Sequence, residues 1–214
     1  SSVDAVVVGG GVVGSSVAYQ LQKRGLQTLL LEAHALTSGT TWHTAGMLWR
    51  LRPSYVDIEL HTRTRALAME LEQDAGAAWT ENGGLFVACN KERLAEYARM
   101  GQTGTYYGID SSVLSPAEAK EVHPLLNVDD VYGALYSPTD GTLDPTGLVT
   151  QYTKAAKALG ATVVEGVRVG AVETEAVHSL LAGGEARRVS GVVTADGQRV
   201  ATTHVVNACG AWAG

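Results

Sequence analysis

Three glycines, one carboxylate and one histidine within the first 46 residues carry the chemistry of this chain. Gly9, Gly11 and Gly14 fit the spacing G-x-G-x-x-G, and Glu32 lies 18 residues beyond the last of them. Such glycines allow a tight turn (Gly9), a close approach of backbone to a pyrophosphate (Gly11) and close packing of a helix on a strand (Gly14). The start of the helix, at Val12 and Val13, offers unpaired N–H groups and the positive end of its dipole to phosphate oxygens. Glu32 can accept both hydroxyl hydrogens of an adenosine ribose and would repel a 2′-phosphate. His43 stands at the centre of Ser38-Gly39-Thr40-Thr41-Trp42-His43-Thr44-Ala45-Gly46. A lone loop histidine is ordinarily a hydrogen-bonding group. Here it follows Glu32 and Ala33 closely, where the chain must pass a bound cofactor.

The elements needed to position these residues are readable. Residues 3–8 form a short β-branched apolar run of the kind found in a buried parallel strand. Residues 13–24 carry helical periodicity through Val13, Val17, Ala18 and Leu21, and Gln27 to Leu31 read as a second strand ending at Glu32. Strand, glycine turn, helix, strand and acid together predict a dinucleotide site far better than the glycines alone. Ser38, Gly39, Thr40 and Thr41 add N–H groups and hydroxyls for a phosphate or ring oxygen, while Ala45 and Gly46 leave room beside a flat ring. These residues do not decide between FAD and NAD.

Later elements follow from caps and turns. Pro53 or Ser54 can start a long helix through Val56, Leu60, Leu67 and Leu71 that fades near Gly76. Leu85–Cys89 read as a strand, and Asn90 caps a helix ending before Gly108. Ser115-Pro116-Ala117-Glu118 is a capping box with proline at the first helical position. Residues 132–136 read as a strand. Asp144-Pro145 opens a helix that Gly160 ends. Strands are expected at 162–166, 167–174, 188–194 and 198–201, with Asp196-Gly197 as a hairpin turn, and then at 205–207. The fold class is α/β, with residues 1–46 and 141–214 forming a nucleotide domain and 47–140 a substrate-side excursion.

With 214 residues, 45% of them hydrophobic, and 25 glycines, the chain is globular in composition. A net charge of −6 without a basic run argues against nucleic acid. No apolar stretch approaches a membrane span. Two distant cysteines, Cys89 and Cys209, give no disulfide framework, and the six histidines lack metal-ligand spacing, so no metal site is expected.

The stretch SGTTWHTAGMLWRLRP (38–53) resembles the flavin loop of the sarcosine and dimethylglycine dehydrogenase family, a branch of the D-amino-acid-oxidase-like flavoproteins. NGGLFVACN (82–90), LSPAEAKEVHPLLNVDDVYGALYSPTDGTLDP (114–145) and VVNACGAWAG (205–214) extend the likeness over nearly the whole chain. It implies a Rossmann-like FAD-binding domain of glutathione-reductase type with part of a mixed-sheet substrate domain, cut short at Gly214. It also implies FAD bonded through a ring nitrogen of His43 to the 8α-methyl, with Val169 at the adenine and Ala208 to Gly210 near the dinucleotide. Read without the family, Val169 is a core residue.

By the same resemblance the intact protein oxidises an N-methyl amino acid, sarcosine by preference, with hydride leaving the N-methyl carbon for flavin N5. Arg50 and Arg52 are the candidates for holding the substrate carboxylate. The family further implies electron-transfer flavoprotein as acceptor and tetrahydrofolate bound by a region beyond this chain. Its location would be the mitochondrial matrix in a eukaryote and the cytoplasm in a bacterium. Dimethylglycine dehydrogenase and a D-amino-acid or glycine oxidase are the enzymatic alternatives. A non-catalytic relative like the pyruvate dehydrogenase phosphatase regulatory subunit is another, against which His43 argues because that branch lacks the histidine.

Overall fold

The computed structural model describes residues 2–75, 78–179 and 184–213. In chain order the first elements are β1 (Ala5–Val8), α1 (Val12–Lys23), β2 (Thr28–Leu31), β3 (Met47–Leu48), α2 (Tyr55–Ala75) and β4 (Trp79–Thr80). Next come β5 (Gly84–Ala88), α3 (Lys91–Tyr106), β6 (Ser112–Leu114), α4 (Pro116–Val122), β7 (Gly133–Ser137), β8 (Gly141–Leu143) and α5 (Pro145–Ala158). The last are β9 (Thr162–Val164), β10 (Val169–Ser179), β11 (Gly184–Thr194), β12 (Arg199–Ala201) and β13 (His204–Asn207). Single 3₁₀ turns cover Thr41–His43 and Gly210–Trp212. No helix among the described residues is long and apolar enough to cross a membrane.

Contacts divide the chain into two compact units. The first comprises Ser1–Ala45, Leu71–Ala78 and Pro145–Gly214; the second comprises Gly46–Glu70 and Trp79–Asp144.

The first unit is built on a parallel sheet of order β13-β1-β2-β9. Val6 lies beside Leu29 and Val205, and Leu30 beside Val163, so β1 and β2 are both interior strands. That position explains their unbroken Val and Leu runs, since both faces of a central parallel strand are covered. Val7 and Leu30 pack on Ala18 of α1 on one face. Val6, Leu29 and Leu31 pack on Val192 of β11 on the other. Helix α5 lies against α1, with Tyr19 and Tyr152 stacked at 6.3 Å. The antiparallel β10-β11-β12 sheet forms the opposite layer, its last hairpin turned at Asp196-Gly197, where Gly197 has φ +87.

The second unit contains two antiparallel sheets, β3-β8-β4 and β5-β7-β6. Leu51, Ile58, Phe86, Ile109 and Leu135 form its core. Asn90 accepts the Arg93 N–H at 2.8 Å and starts α3. Ser115 and Glu118 close both bonds of the capping box on α4.

Several boundaries differ from expectation for local reasons. The strand expected over 162–166 stops at Val164, two residues before Gly166 with φ +74. The strand expected over 167–174 extends to Ser179, because its partner continues through eleven residues rather than seven. Strands β3, β4 and β8, of two or three residues, were not expected, being too short to show alternation. The expected fading of α2 at Gly76 and the end at Gly214 lie outside the described residues.

Candidate functional site

At the carboxyl ends of β1 and β2 the first unit opens a cavity of about 530 Å³. This is where ligands enter open parallel sheets. Gly9 has φ +109, and a Cβ there would overlap the Ala208 carbonyl oxygen. A Cβ at Gly14 would overlap the Gly9 carbonyl oxygen, which is how the helix comes so close to the strand. Gly11 is different. Its backbone is ordinary and extended (φ −78, ψ −176), and beyond its chain neighbours the sole atom of the described residues within 4 Å of an added Cβ would be Thr41 Oγ1 at 3.1 Å. The chain's own packing therefore makes little demand for glycine at 11, whereas a ligand resting on that backbone would.

Helix α1 begins at Val12 with no side-chain cap on Gly11 and no acidic residue in its first turn. Glu32, at the end of β2, accepts the Gly10 N–H on Oε2 at 2.6 Å and the His34 N–H on Oε1 at 2.8 Å. A carboxylate acceptor shortens such bonds. The loop after it returns to the helix through Thr41, a buried residue whose Oγ1 accepts the Val12 N–H at 3.1 Å.

The cavity is lined by Gly9, Gly11, Val12, Val13, Glu32, Ala33, Ser38, Gly39, Thr40, Thr41, Val169, Ala208 and Gly210 among the residues singled out from sequence. Gly14 lies behind it, as a packing glycine. Trp42, His43, Thr44, Ala45 and Gly46 fall outside the lining. His43 is exposed at the end of the 3₁₀ turn, its ring 3.8 Å from that of Trp42, and its N–H donates to the Thr40 carbonyl at 3.2 Å. Gly46 belongs to the second unit, where it has φ +69 and its carbonyl accepts the Leu143 N–H at 2.6 Å.

Sequence reasoning passed over Gly10, His34, Thr37, Arg168, Cys209 and Trp212, which also line the cavity. Gly10 and Cys209 sit between residues already named, so adjacency was a usable signal. Arg168 and Trp212 reach the cavity through tertiary folding and leave no motif. Trp212 comes within 3.1 Å of where a Gly39 Cβ would be, so Gly39 makes room for that ring. The Cys209 thiol is pushed up from its ordinary range, first by burial and then by the nearby charge of Glu32.

Arg50 and Arg52 lie in the second unit and differ sharply. Arg50 is 8% exposed; its Nε is 3.6 Å from Asp140 Oδ1, its N–H donates to that oxygen at 3.1 Å, and its Nη2 bonds Thr139 Oγ1. Arg52 is half-buried and lies over the Trp49 ring at 4.4 Å, with no carboxylate paired to it among the described residues.

The family model for FAD dependent oxidoreductases (DAO) matches residues 4–214. The chain belongs to this family. Its fold is accordingly the D-amino-acid-oxidase type, and the structure of L-proline dehydrogenase from P. horikoshii matches with a TM-score of 0.85 and 28% identity, over 98% of this chain and 53% of that one. Mitochondrial sarcosine dehydrogenase of Homo sapiens is 49% identical over the whole of this chain and 23% of its own length. The mitochondrial pyruvate dehydrogenase phosphatase regulatory subunit of Mus musculus, another similar protein, is 34% identical over 97% of this chain and 23% of its own length. The chain thus spans about a quarter of the length of each of these two relatives. Within the DAO family, the cavity at β1 and β2 is the place to look for the dinucleotide. The residues present fit it: an open glycine, a helix start with no acidic residue in its first turn, and a carboxylate held at the end of β2. The first N–H of that helix, at Val12, is not unpaired as expected but taken by Thr41.

Proposed function

We propose that this chain is the FAD-binding part of an enzyme that oxidises an N-methyl amino acid, sarcosine by preference, and that its flavin is bonded to His43. FAD, when bound, supplies the two-electron acceptor for the amine's C–H bond. The observation that carries the reading is the 49% identity to a sarcosine dehydrogenase over the whole chain.

Gly9, Gly11 and the first turn of α1 would hold the pyrophosphate, and Glu32 the adenosine ribose. Val169 and the Ala208–Gly210 turn would border the adenosine half. Thr41 places His43 two residues from the cavity wall, which supports attachment there. His43 would hold the flavin through a ring nitrogen, and FAD would supply the 8α-methyl carbon for that bond.

The substrate is a carboxylate, so a guanidinium should meet it. Arg52 is the better supported of the two arginines, because Arg50 is already engaged by Asp140 and Thr139. In the intact protein, electron-transfer flavoprotein would reoxidise the cofactor and a region outside this chain would bind tetrahydrofolate. The mitochondrial relatives support a matrix location in a eukaryote; a bacterial homologue would act in the cytoplasm. Residues 1–46 with 141–214 would serve as the cofactor domain and 47–140 as the substrate side.

The test is acid precipitation of the full-length protein followed by peptide mass analysis, and anaerobic mixing with sarcosine. An FAD-sized increment on the His43 peptide and bleaching of the flavin by sarcosine are expected. Flavin lost on precipitation would sink the histidyl link, and bleaching by glycine in preference to sarcosine would move the assignment to an oxidase. The likeness to the phosphatase regulatory subunit gives a second reading, in which flavin is absent or never bleached by any amine.

A further inference from the structure

Thr41 stands where two parts of the cofactor site meet. It is 6% exposed, lines the cavity, and opens the 3₁₀ turn that ends at His43. Its Oγ1 accepts the Val12 N–H at 3.1 Å, across 29 residues of sequence. Its carbonyl accepts both the N–H and the hydroxyl of Thr44, at 3.3 and 3.2 Å. One residue therefore ties the first turn of α1 to both sides of His43.

Val12 is the first residue of α1, and its N–H has no carbonyl of its own helix to meet. An N-cap side chain would reach the second or third N–H rather than this first one, and Gly11 has no side chain in any case. Thr41 supplies the acceptor for the first N–H from another segment. An oxygen that accepts the Val12 N–H still has its own O–H to donate, and that hydrogen is free to point into the cavity.

We infer that Thr41 is a positioning residue: its bond to Val12 fixes the His43 turn against the pyrophosphate end of α1, so that phosphate anchorage and flavin attachment share one registration. This rests on the reading of the cavity as an FAD site. It adds the claim that the Thr41–Val12 bond, rather than the sequence around His43 alone, sets the distance from phosphates to the histidine.

The two ends of the bond can be removed separately in the full-length protein. Thr41→Val deletes the acceptor and Thr41→Ser keeps it. Val12→Pro deletes the donor while leaving the hydroxyl in place. Proline suits the first helical position, and Gly11, with ψ −176, already has the extended backbone that a following proline requires. Val12→Pro also serves if Thr41→Val fails to fold.

The readouts are the FAD dissociation constant and the rate at which FAD, added to flavin-depleted protein, becomes resistant to acid precipitation. Thr41→Val and Val12→Pro should each weaken binding about tenfold and slow attachment by at least as much. The double variant should be no worse than either, since both remove one bond. Thr41→Ser should stay near wild type.

A Val12→Pro protein with wild-type affinity and rate would overturn the inference and leave Thr41 a direct ligand contact. So would a Thr41→Ser protein as impaired as Thr41→Val, because the hydroxyl would not be the operative group. Wild-type protein that binds FAD but releases all of it in acid would sink the histidyl link alone, and the strut would then be judged on the dissociation constants. Wild-type protein that takes up no FAD would overturn both.

Discussion

The carboxylate of Glu32 holds the backbone N–H of Gly10 at 2.6 Å, so the acid closing β2 braces the glycine turn that leaves β1. The same side chain, through Oε1, holds the His34 N–H at 2.8 Å. It shapes the cavity before any ligand arrives. Its value to a ribose depends on being held still, and both bonds do that.

Replacing Glu32 should therefore do two things at once. Glu32→Ala removes two charge-assisted bonds, loosening the turn by roughly 1.5–3 kcal/mol per bond. Glu32→Gln restores one acceptor but turns an amide N–H₂ toward the other backbone donor. FAD affinity, read from quenching of flavin fluorescence, should fall at least tenfold in the alanine variant and less in the glutamine variant. Equal affinity for wild type and Glu32→Ala would show that the ribose does not rely on this residue.

Alanine at Gly11 and at Gly14 should fail in different ways. At Gly14 the new Cβ overlaps the Gly9 carbonyl oxygen and meets the Ala208 Cβ at 3.3 Å. Strain of this kind costs about 1–3 kcal/mol or more and should lower the Tm of protein without cofactor. At Gly11 the backbone suits alanine, and the Thr41 hydroxyl needs to shift only a few tenths of an ångström. Thermal melts should show Gly11→Ala folded near the wild-type Tm, with weak FAD binding. A Gly11→Ala protein that keeps full affinity would mean nothing approaches that backbone.

What the sequence disclosed, and what it did not, follows from the range of the interactions. The β1–α1–β2 unit is legible because its interior strands need unbroken apolar runs and its turn needs glycines at fixed spacing. Asn90 and Ser115 are legible because capping is settled within three residues. Strand β8 escapes notice: its three residues pair with β3 and β4 from distant parts of the chain. The same holds at the site. The glycine turn and Glu32 carry a spacing, whereas Arg168 and Trp212 arrive by tertiary packing. Arg50 looked like a free guanidinium because its partner, Asp140, is 90 residues away.

That pairing divides the two arginines experimentally. Asp140 is 1% exposed, and its Oδ2 has no hydrogen-bond partner among the described residues, so losing Arg50 would strand a buried charge. Arg50→Ala should cost about 3–5 kcal/mol of stability, measured by urea unfolding of the full-length protein. Arg52→Ala removes one stacked contact on Trp49 and should cost about 1 kcal/mol. If Arg52 meets the substrate carboxylate, its loss should lower kcat/KM for sarcosine at least tenfold, largely through KM. Unchanged kcat/KM in Arg52→Ala would remove it from the substrate site.

Cys209 offers a report on the cavity that needs no catalysis. Its thiol lies on the cavity wall and bonds the Val8 carbonyl at 3.6 Å, whereas Cys89 is exposed in the second unit. Burial and the Glu32 charge both disfavour the thiolate of Cys209. The thiolate is the reactive form, so at pH 8 alkylation by iodoacetamide should be faster at Cys89 than at Cys209. The Cys209 rate should keep climbing above the pH at which an ordinary thiol levels off. The same raised value means that the neutral thiol's contribution to stability, complete below the ordinary thiol range, is lost as pH rises through it. Bound FAD should slow Cys209 further and leave Cys89 alone, because only the former shares the cavity. Peptide mass analysis of timed alkylation separates the two sites. Equal rates at both cysteines, or no protection of Cys209 by FAD, would show that the cofactor does not occupy the end of the cavity that β13 provides.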